Sequence, residues 1–510
     1  MLRDLTLRRI FSVAILAGSA LVAGGQLYAI PTDFDTPSTQ LVAKLREAER
    51  YQFNIAEKYY REGNWKVALA EYEKFMGLYE KSEGAPYVQL KWSLCQVKLR
   101  KLNTAIKDGF QSVIDYWPES TEAAAAAYMI GDTYKDLGEL KKAKAAYANV
   151  ITKYPDQLVA VMSKSDLGEI AKTEGDAPKR ISILKELTFN TQRKGHAKRH
   201  CDEASHALAE ILLYSGSFPE AKDALATTHK DYQLCNHVVH FSRGAVSHLV
   251  QKPETKAQGE KMADQIVAFL RETAPTELAE EAKKNFAIQN WFWIAEIQNH
   301  AGRPDKVDET YDQMLKVFGN EDRVFEAQGN WMRHRNRRDD ARGIYSRMMN
   351  QIRGQQLVAE TYREEKKFDE AMNIYRDLAT KNAEKASDWL AEVGHTLRQA
   401  GKLKDAINTY RSIDKFPSNL VWMAECHRDL KEHKESAALW GQVMADPGWA
   451  SRALLEIAYC YERQDQKENA IKTFQSVCRK FPKSGEASHA HAHLNNHYKI
   501  TFTTGGDTVE

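Results

Sequence analysis

Small and aromatic residues recur along this chain at helical spacing, and the recurrence itself repeats. A small residue followed four places later by an aromatic ring occurs as Ala68/Tyr72, Ala143/Tyr147, Ala341/Tyr345, Ala371/Tyr375, Ala406/Tyr410 and Ala470/Phe474. Looser copies are Val307/Tyr311 and Ile106/Phe110. A spacing of four puts both residues on one helical face. Five places before the small residue stands a glycine at Gly63, Gly138, Gly216, Gly302 and Gly401, the residue that takes a positive φ in a turn without strain. Trp117-Pro118, Tyr154-Pro155 and Phe481-Pro482 lie eight places beyond the aromatic, and Phe416-Pro417 seven; proline cannot extend the helix and fixes its exit. Each unit therefore predicts helix, tight turn, helix, stop. At a period of about 34 residues this predicts an all-α, right-handed solenoid of about twelve antiparallel helix hairpins. A last helix at 484–500 is expected to cap it, because the final apolar face has no neighbour.

The cleanest unit runs from Ala124 to Gln157, with Gly131 and Tyr134 on a first helix, Gly138 in the turn, Ala143 and Tyr147 on a second, and Pro155 at its end. These offsets resemble the tetratricopeptide repeat. The resemblance covers roughly residues 45–500 and speaks to fold far more than to function. Some units are weak. The fourth has Gly168 and Gly175 but no alanine–aromatic pair, the sixth is stretched from Gly244 to Pro275, and the eleventh centres on Ala437 and Trp440. The expected segmentation is a signal peptide at 1–29, a linker at 30–44, an N-terminal array at 45–251, an irregular repeat or hinge at 252–285, a C-terminal array at 286–483, the cap, and a flexible tail at 501–510.

The signal-peptide expectation rests on Arg3, Arg8 and Arg9, an uncharged apolar run from Ile10 to Ala23, and a small-residue exit at Ala29. The run is short for a membrane span, so no stable insertion is expected after cleavage; an uncleaved anchor is the alternative. No cysteine stands between Leu2 and Gln40, which excludes a lipid anchor. The expected location is the bacterial periplasm or the cell exterior. Lys and Arg number 72 against 70 Asp and Glu, a net charge of +2. That balance argues against a nucleic-acid binder, which carries a strongly basic domain.

Chemistry is sparse. No phosphate loop, dinucleotide fingerprint, nucleophile elbow or H-E-x-x-H occurs, so no enzyme and no cofactor are expected. Cys201 and Cys235 stand 34 residues apart, as do Cys426 and Cys460. Equivalent places in stacked hairpins are about 10 Å apart, too far for a disulfide, so buried thiols are expected, with Cys201–Cys235 the exception to watch. His489, His493 and His497 form a stripe on the capping helix and are a candidate metal site; a solvated face is the alternative. His196, His200, Cys201 and His206 are a weaker set.

In tetratricopeptide arrays the first helix of each hairpin lines the concave groove. Carried onto this chain by the resemblance, groove places fall at Phe292, Glu296, Asn330, Arg333, Glu360, Arg363, His395, Arg398 and Arg463. Arg333, Arg363 and Arg398 share one place in successive units. Such a ladder suits carboxylates or carbonyls of an extended protein segment, or an acidic polymer. Phe292, between Trp291 and Trp293, is the aromatic assigned to the groove. The unit ending in Phe110-Gln-Ser-Val and Trp117-Pro-Glu-Ser, repeated from Phe474 to Ser484, is similar to bacterial envelope repeat proteins, namely the outer-membrane assembly lipoprotein and the Tol–Pal division coordinator. That resemblance implies a periplasmic protein-binding adaptor of undefined oligomeric state. A carbohydrate or cell-wall-polymer protein with a basic groove is the alternative.

Overall fold

The computed structural model describes residues 36–501. The expected signal peptide, the first part of the linker and nearly all of the tail lie outside them. Within them the chain is helical, and the helices succeed one another as twelve hairpins, from Glu47–Arg61 with Trp65–Tyr79 to Ala450–Arg463 with Lys467–Lys480. Gly485–Tyr498 follows as a final helix. The described residues divide into two compact units that part between Phe269 and Leu270, each with its own apolar core.

One backbone feature sets the register. The hairpin turns hold a residue of positive φ at Gly63, Arg100, Gly138, Gly175, Gly216, Gly302, Asn336, Lys366, Gly401, Lys431 and Asp465. Counting five places on from Gly63, Arg100, Gly138, Asn336, Lys366, Gly401 and Asp465 reaches Ala68, Ala105, Ala143, Ala341, Ala371, Ala406 and Ala470, all fully buried. The turn geometry is therefore shared whether or not glycine occupies it, at a cost of about 1–2 kcal/mol for other residues.

This register corrects two sequence assignments. In the second hairpin the expected pair was Ile106/Phe110. The fully buried residues are Ala105 and Phe110, five apart, and a π-helical turn over Ala105–Phe110 absorbs the extra residue. In the eleventh the small residue is Ser436, not Ala437; Ser436 is fully buried, four before Trp440, and its hydroxyl donates to the Ala424 carbonyl at 2.8 Å.

The stretch 252–285, expected to be an irregular repeat or hinge, is helical over Lys256–Thr273. That helix completes the sixth hairpin with Asp231–Gln251, and Gly244 lies inside the first helix rather than opening the unit. Its turn runs through Lys252 at φ −98°, before Pro253, without a positive-φ residue. The two helices approach so closely that a Cβ on Gly259 would stand 2.8 Å from Leu249 Cβ.

The N-terminal unit buries an ionised cluster beside its apolar core. Lys91 and Glu57 are almost wholly inaccessible, 3.9 Å apart. The Tyr72 hydroxyl donates to Glu57 at 2.5 Å, and the Lys91 ammonium lies 3.3 Å from the Tyr60 ring centroid. In the C-terminal unit, Ala487, Ala490 and Leu494 of the last helix join the cluster around Phe474 and Val477. Ser484 begins that helix, accepting from the Ala487 N–H at 3.1 Å. All six cysteines are buried thiols, including Cys201 and Cys235, and burial raises the Cys201 thiol above its ordinary value.

Candidate functional site

The predicted groove residues of the C-terminal unit lie on the first helices Glu281–His300, Asp322–His334, Gln351–Glu364, Ala386–Gln399 and Ala450–Arg463. What aims them is the packing behind. Tyr345 and Tyr410, on second helices, are completely buried. Their hydroxyls reach the first helix of the same hairpin, Tyr345 donating to Asn330 Oδ1 at 2.8 Å and Tyr410 meeting His395 Nδ1 at 2.8 Å. Burial holds His395 below its ordinary value, which favours the neutral ring beside the tyrosine hydroxyl. Asn330 and His395 are thus anchored polar groups, not freely swinging side chains.

Arg333, Arg363 and Arg398 lie on the first helices of three successive hairpins, and each is tied to the next hairpin. Arg333 contacts Glu360 at 3.2 Å and Glu364 at 2.6 Å. Arg363 contacts Glu392 at 2.7 Å. Arg398 contacts Glu425 at 2.5 Å and Asp429 at 3.0 Å. Arg353 adds a pair in the opposite sense, reaching back to Glu326 at 2.6 Å. Burial disfavours the Arg333 charge, but the hydrogen bond and attraction of Glu364, then of Glu360, outweigh it and hold the guanidinium above its ordinary value. Glu364 is correspondingly lowered: burial would raise it, and Arg333 overrides that. The wall is therefore studded with fixed donors and acceptors of both signs. The acidic partners Glu392, Glu425 and Asp429 were not among the predicted site residues. Their spacing of 27–31 residues from the arginines, close to one repeat, was the available signal.

The remaining predicted residues are scattered in role. Phe292 is half-buried and packs with Trp291 against Ile288, Met314 and Val324, while Trp293 is buried. Glu296 is half-buried on the same helix, and Arg463 is exposed with its guanidinium 5.9 Å from the Tyr459 ring centroid.

The histidine stripe comes together only in part: the His493 and His497 rings stack with centroids 4.3 Å apart. Residues eight apart on a helix are separated by about 12 Å along its axis, so His489 and His497 do not share an ion. His493 instead meets Glu462 at 2.7 Å, and the Tyr498 hydroxyl donates to the same carboxylate at 2.5 Å. Among the described residues, the three-ligand grouping that does form is His206, His229 and His237. No described helix is long and apolar enough to cross a membrane.

These features define an all-helical repeat protein built of successive helix hairpins. Two stretches, 125–156 and 452–484, match the tetratricopeptide repeat family, and the protein carries tetratricopeptide repeats there. No curated protein matches the chain. Among solved structures, yeast Tom70 is similar at 14% identity over 89% of this chain and 99% of its own, with a TM-score of 0.29. Naa15/Naa10 bound to HypK-THB is similar at 12% identity, 89% and 71% coverage and a TM-score of 0.38. The C-terminal part of a repeat protein from Cytophaga hutchinsonii is similar at 14% identity, 53% and 97% coverage and a TM-score of 0.31. Tetratricopeptide repeats are typically non-enzymatic scaffolds that mediate protein–protein interaction.

Proposed function

We propose that this chain is a non-enzymatic interaction scaffold of the bacterial cell envelope, holding extended protein segments along the first-helix wall of its C-terminal unit. The observation that carries this reading is the lattice of cross-hairpin pairs, Arg333–Glu360, Arg363–Glu392 and Arg398–Glu425. Fixed groups of both signs complement the alternating N–H and C=O groups of an extended backbone. A polyanionic cell-wall polymer is the weaker candidate, because its track needs uncompensated cations and these arginines are compensated. The envelope location rests on the charged start, apolar run and Ala29 exit of the first 29 residues, and on the resemblance of the repeat endings to envelope proteins.

The test is a photo-crosslinking residue at Gln356 of the tagged chain in intact cells, followed by mass spectrometry of the captured material. A protein partner whose capture persists at high salt supports the reading. Recovery of envelope polymer, or loss of capture as salt rises through the range that screens exposed charges, overturns it. Amino-terminal sequencing of the same material checks export: a mature start at Ile30 is expected, and an intact Met1 counts against cleavage.

A further inference from the structure

His206, His229 and His237 come from three places in the N-terminal unit. His206 lies on Ala197–Tyr214, the first helix of the fifth hairpin. His229 lies in the connection to the sixth, and His237 on Asp231–Gln251, the first helix of that hairpin. One nitrogen from each ring lies within 4.8 Å of the others, and all three residues are half-buried. The rings of His229 and His237 stack with centroids 3.6 Å apart, and His206 Nε2 stands 2.8 Å from His229 Nε2. We propose that these three histidines bind a borderline divalent transition-metal ion, of which Zn²⁺ is the type, and that the ion staples the fifth hairpin to the sixth.

Three observations support a built site rather than chance proximity. His237 Nδ1 is 2.7 Å from the Gln233 carbonyl. That contact holds the proton on Nδ1 and leaves the Nε2 lone pair for a metal, the usual outer-shell arrangement of a ligating histidine. The segment carrying His229 is held down from behind. Arg193 donates to Thr227 Oγ1 at 2.6 Å and to Thr228 Oγ1 at 3.1 Å, and pairs with Asp202 at 2.5 Å, one turn before His206. Ser205 Oγ and Thr228 Oγ1 are 2.9 Å apart and tie the same two elements. Phe241, one turn beyond His237, lies 5.5 Å from the His206 ring centroid and gives the cluster an apolar wall.

The protonation state is also suitable. Burial, then the neighbouring His237 and His206, push His229 down to about 4. Burial and His237 lower His206 as well, with Asp202 and Glu203 drawing it up and Arg193 pushing it down. Both shifts run toward the neutral ring that metal ligation requires. In the metal-free molecule one Nε2 of the His206–His229 pair carries a proton donated to the other. Loading moves that proton to Nδ1 of its own ring, with no net release. Nitrogens of a tetrahedral zinc shell are about 3.3 Å apart, given metal–nitrogen bonds of about 2.0–2.1 Å, so this pair opens by about half an ångström, and the three rings, stacked at interplanar angles of 9°, 12° and 19°, turn so that their lone pairs converge on the ion. Three nitrogens leave one position for water or for a donor from a bound partner.

The proposal is independent of the partner-binding reading, since it concerns the other unit and a different ligand. The test is calorimetric titration of the chelator-stripped chain with Zn²⁺ at neutral pH, with Co²⁺ as a visible probe of tetrahedral coordination. One equivalent per chain is expected, with intense Co²⁺ bands and a raised melting temperature. His229→Ala is expected to lose more affinity than the roughly 10–100-fold that follows loss of an outer-shell partner. A combined His489→Ala, His493→Ala, His497→Ala variant is expected to bind like the parent. Circular dichroism checks each fold, and His237→Gln serves if His229→Ala does not fold. Absence of a tight equivalent in the parent, or an equivalent unchanged in His229→Ala or His237→Gln, overturns the proposal.

Discussion

A Cβ added to Gly329 would lie 2.2 Å from Cε1 of Tyr345, and the same distance separates a Cβ on Gly394 from Tyr410. Each glycine lets a fully buried tyrosine cross directly over the first helix, so its hydroxyl emerges beside the next side chain, Asn330 or His395. Helix propensity alone favours alanine by about 1 kcal/mol. Overpacking against a ring that is clamped at both ends costs about 1–3 kcal/mol and wins. Gly329→Ala is therefore expected to lower the melting temperature of the chain; an unchanged or higher value would show that Tyr345 yields.

The opposite sign is expected in the turns. Lys366 and Lys431 adopt φ of 61° and 65°, a conformation that costs about 1–2 kcal/mol for a residue with a Cβ. Lys366→Gly and Lys431→Gly recover part of this, less the larger chain entropy of glycine, so each is expected to stabilise by about 0.5–1 kcal/mol. Chemical denaturation monitored by circular dichroism measures it.

Glu57 and Lys91 provide a harsher test. Removing one partner of a buried ion pair leaves an uncompensated charge and costs about 3–5 kcal/mol, whereas replacing both is far milder. Glu57→Ala is expected to unfold the N-terminal unit early in a thermal scan, and Lys91→Met with Glu57→Gln to restore much of the loss. Equal damage from both would mean that the pair's neighbours, Tyr60 and Tyr72, carry the effect.

Acid should weaken both units in different windows. A histidine whose folded value is lowered, as at His229, favours the folded state fully above the ordinary value of about 6.5. That stability is lost as pH falls towards about 4. The carboxylate of Glu364, held low by Arg333, contributes above its ordinary value and is lost only at more acidic pH. Melting temperature is expected to fall first between about pH 6.5 and 4, and His229→Gln to flatten that step; an unaltered step assigns it elsewhere.

Much of this was legible in the chain itself. Alanine–aromatic spacing identified the hairpins because small and large side chains must alternate where helices cross. It misplaced the second and eleventh units, where a π-helical turn shifts Ala105 against Phe110 and where serine does the work of alanine at Ser436. Glycine marked only some turns, since the surrounding helices force the same φ on Arg100, Asn336 and Lys366. The arginine ladder was visible as a period; that each rung is neutralised by the next hairpin was not.

Local spacing by itself determined the class of fold, the approximate number of hairpins and the capping helix, because each depends on contacts within one repeat or between adjacent ones. The histidine stripe shows the limit of such inference: regular spacing on one helix holds His489 and His497 apart. Only the tertiary structure decided which charges meet and which histidines converge. His206, His229 and His237 belong to two successive hairpins and the segment between them, and their meeting depends on how Arg193, Asp202 and Thr228 fold that segment back.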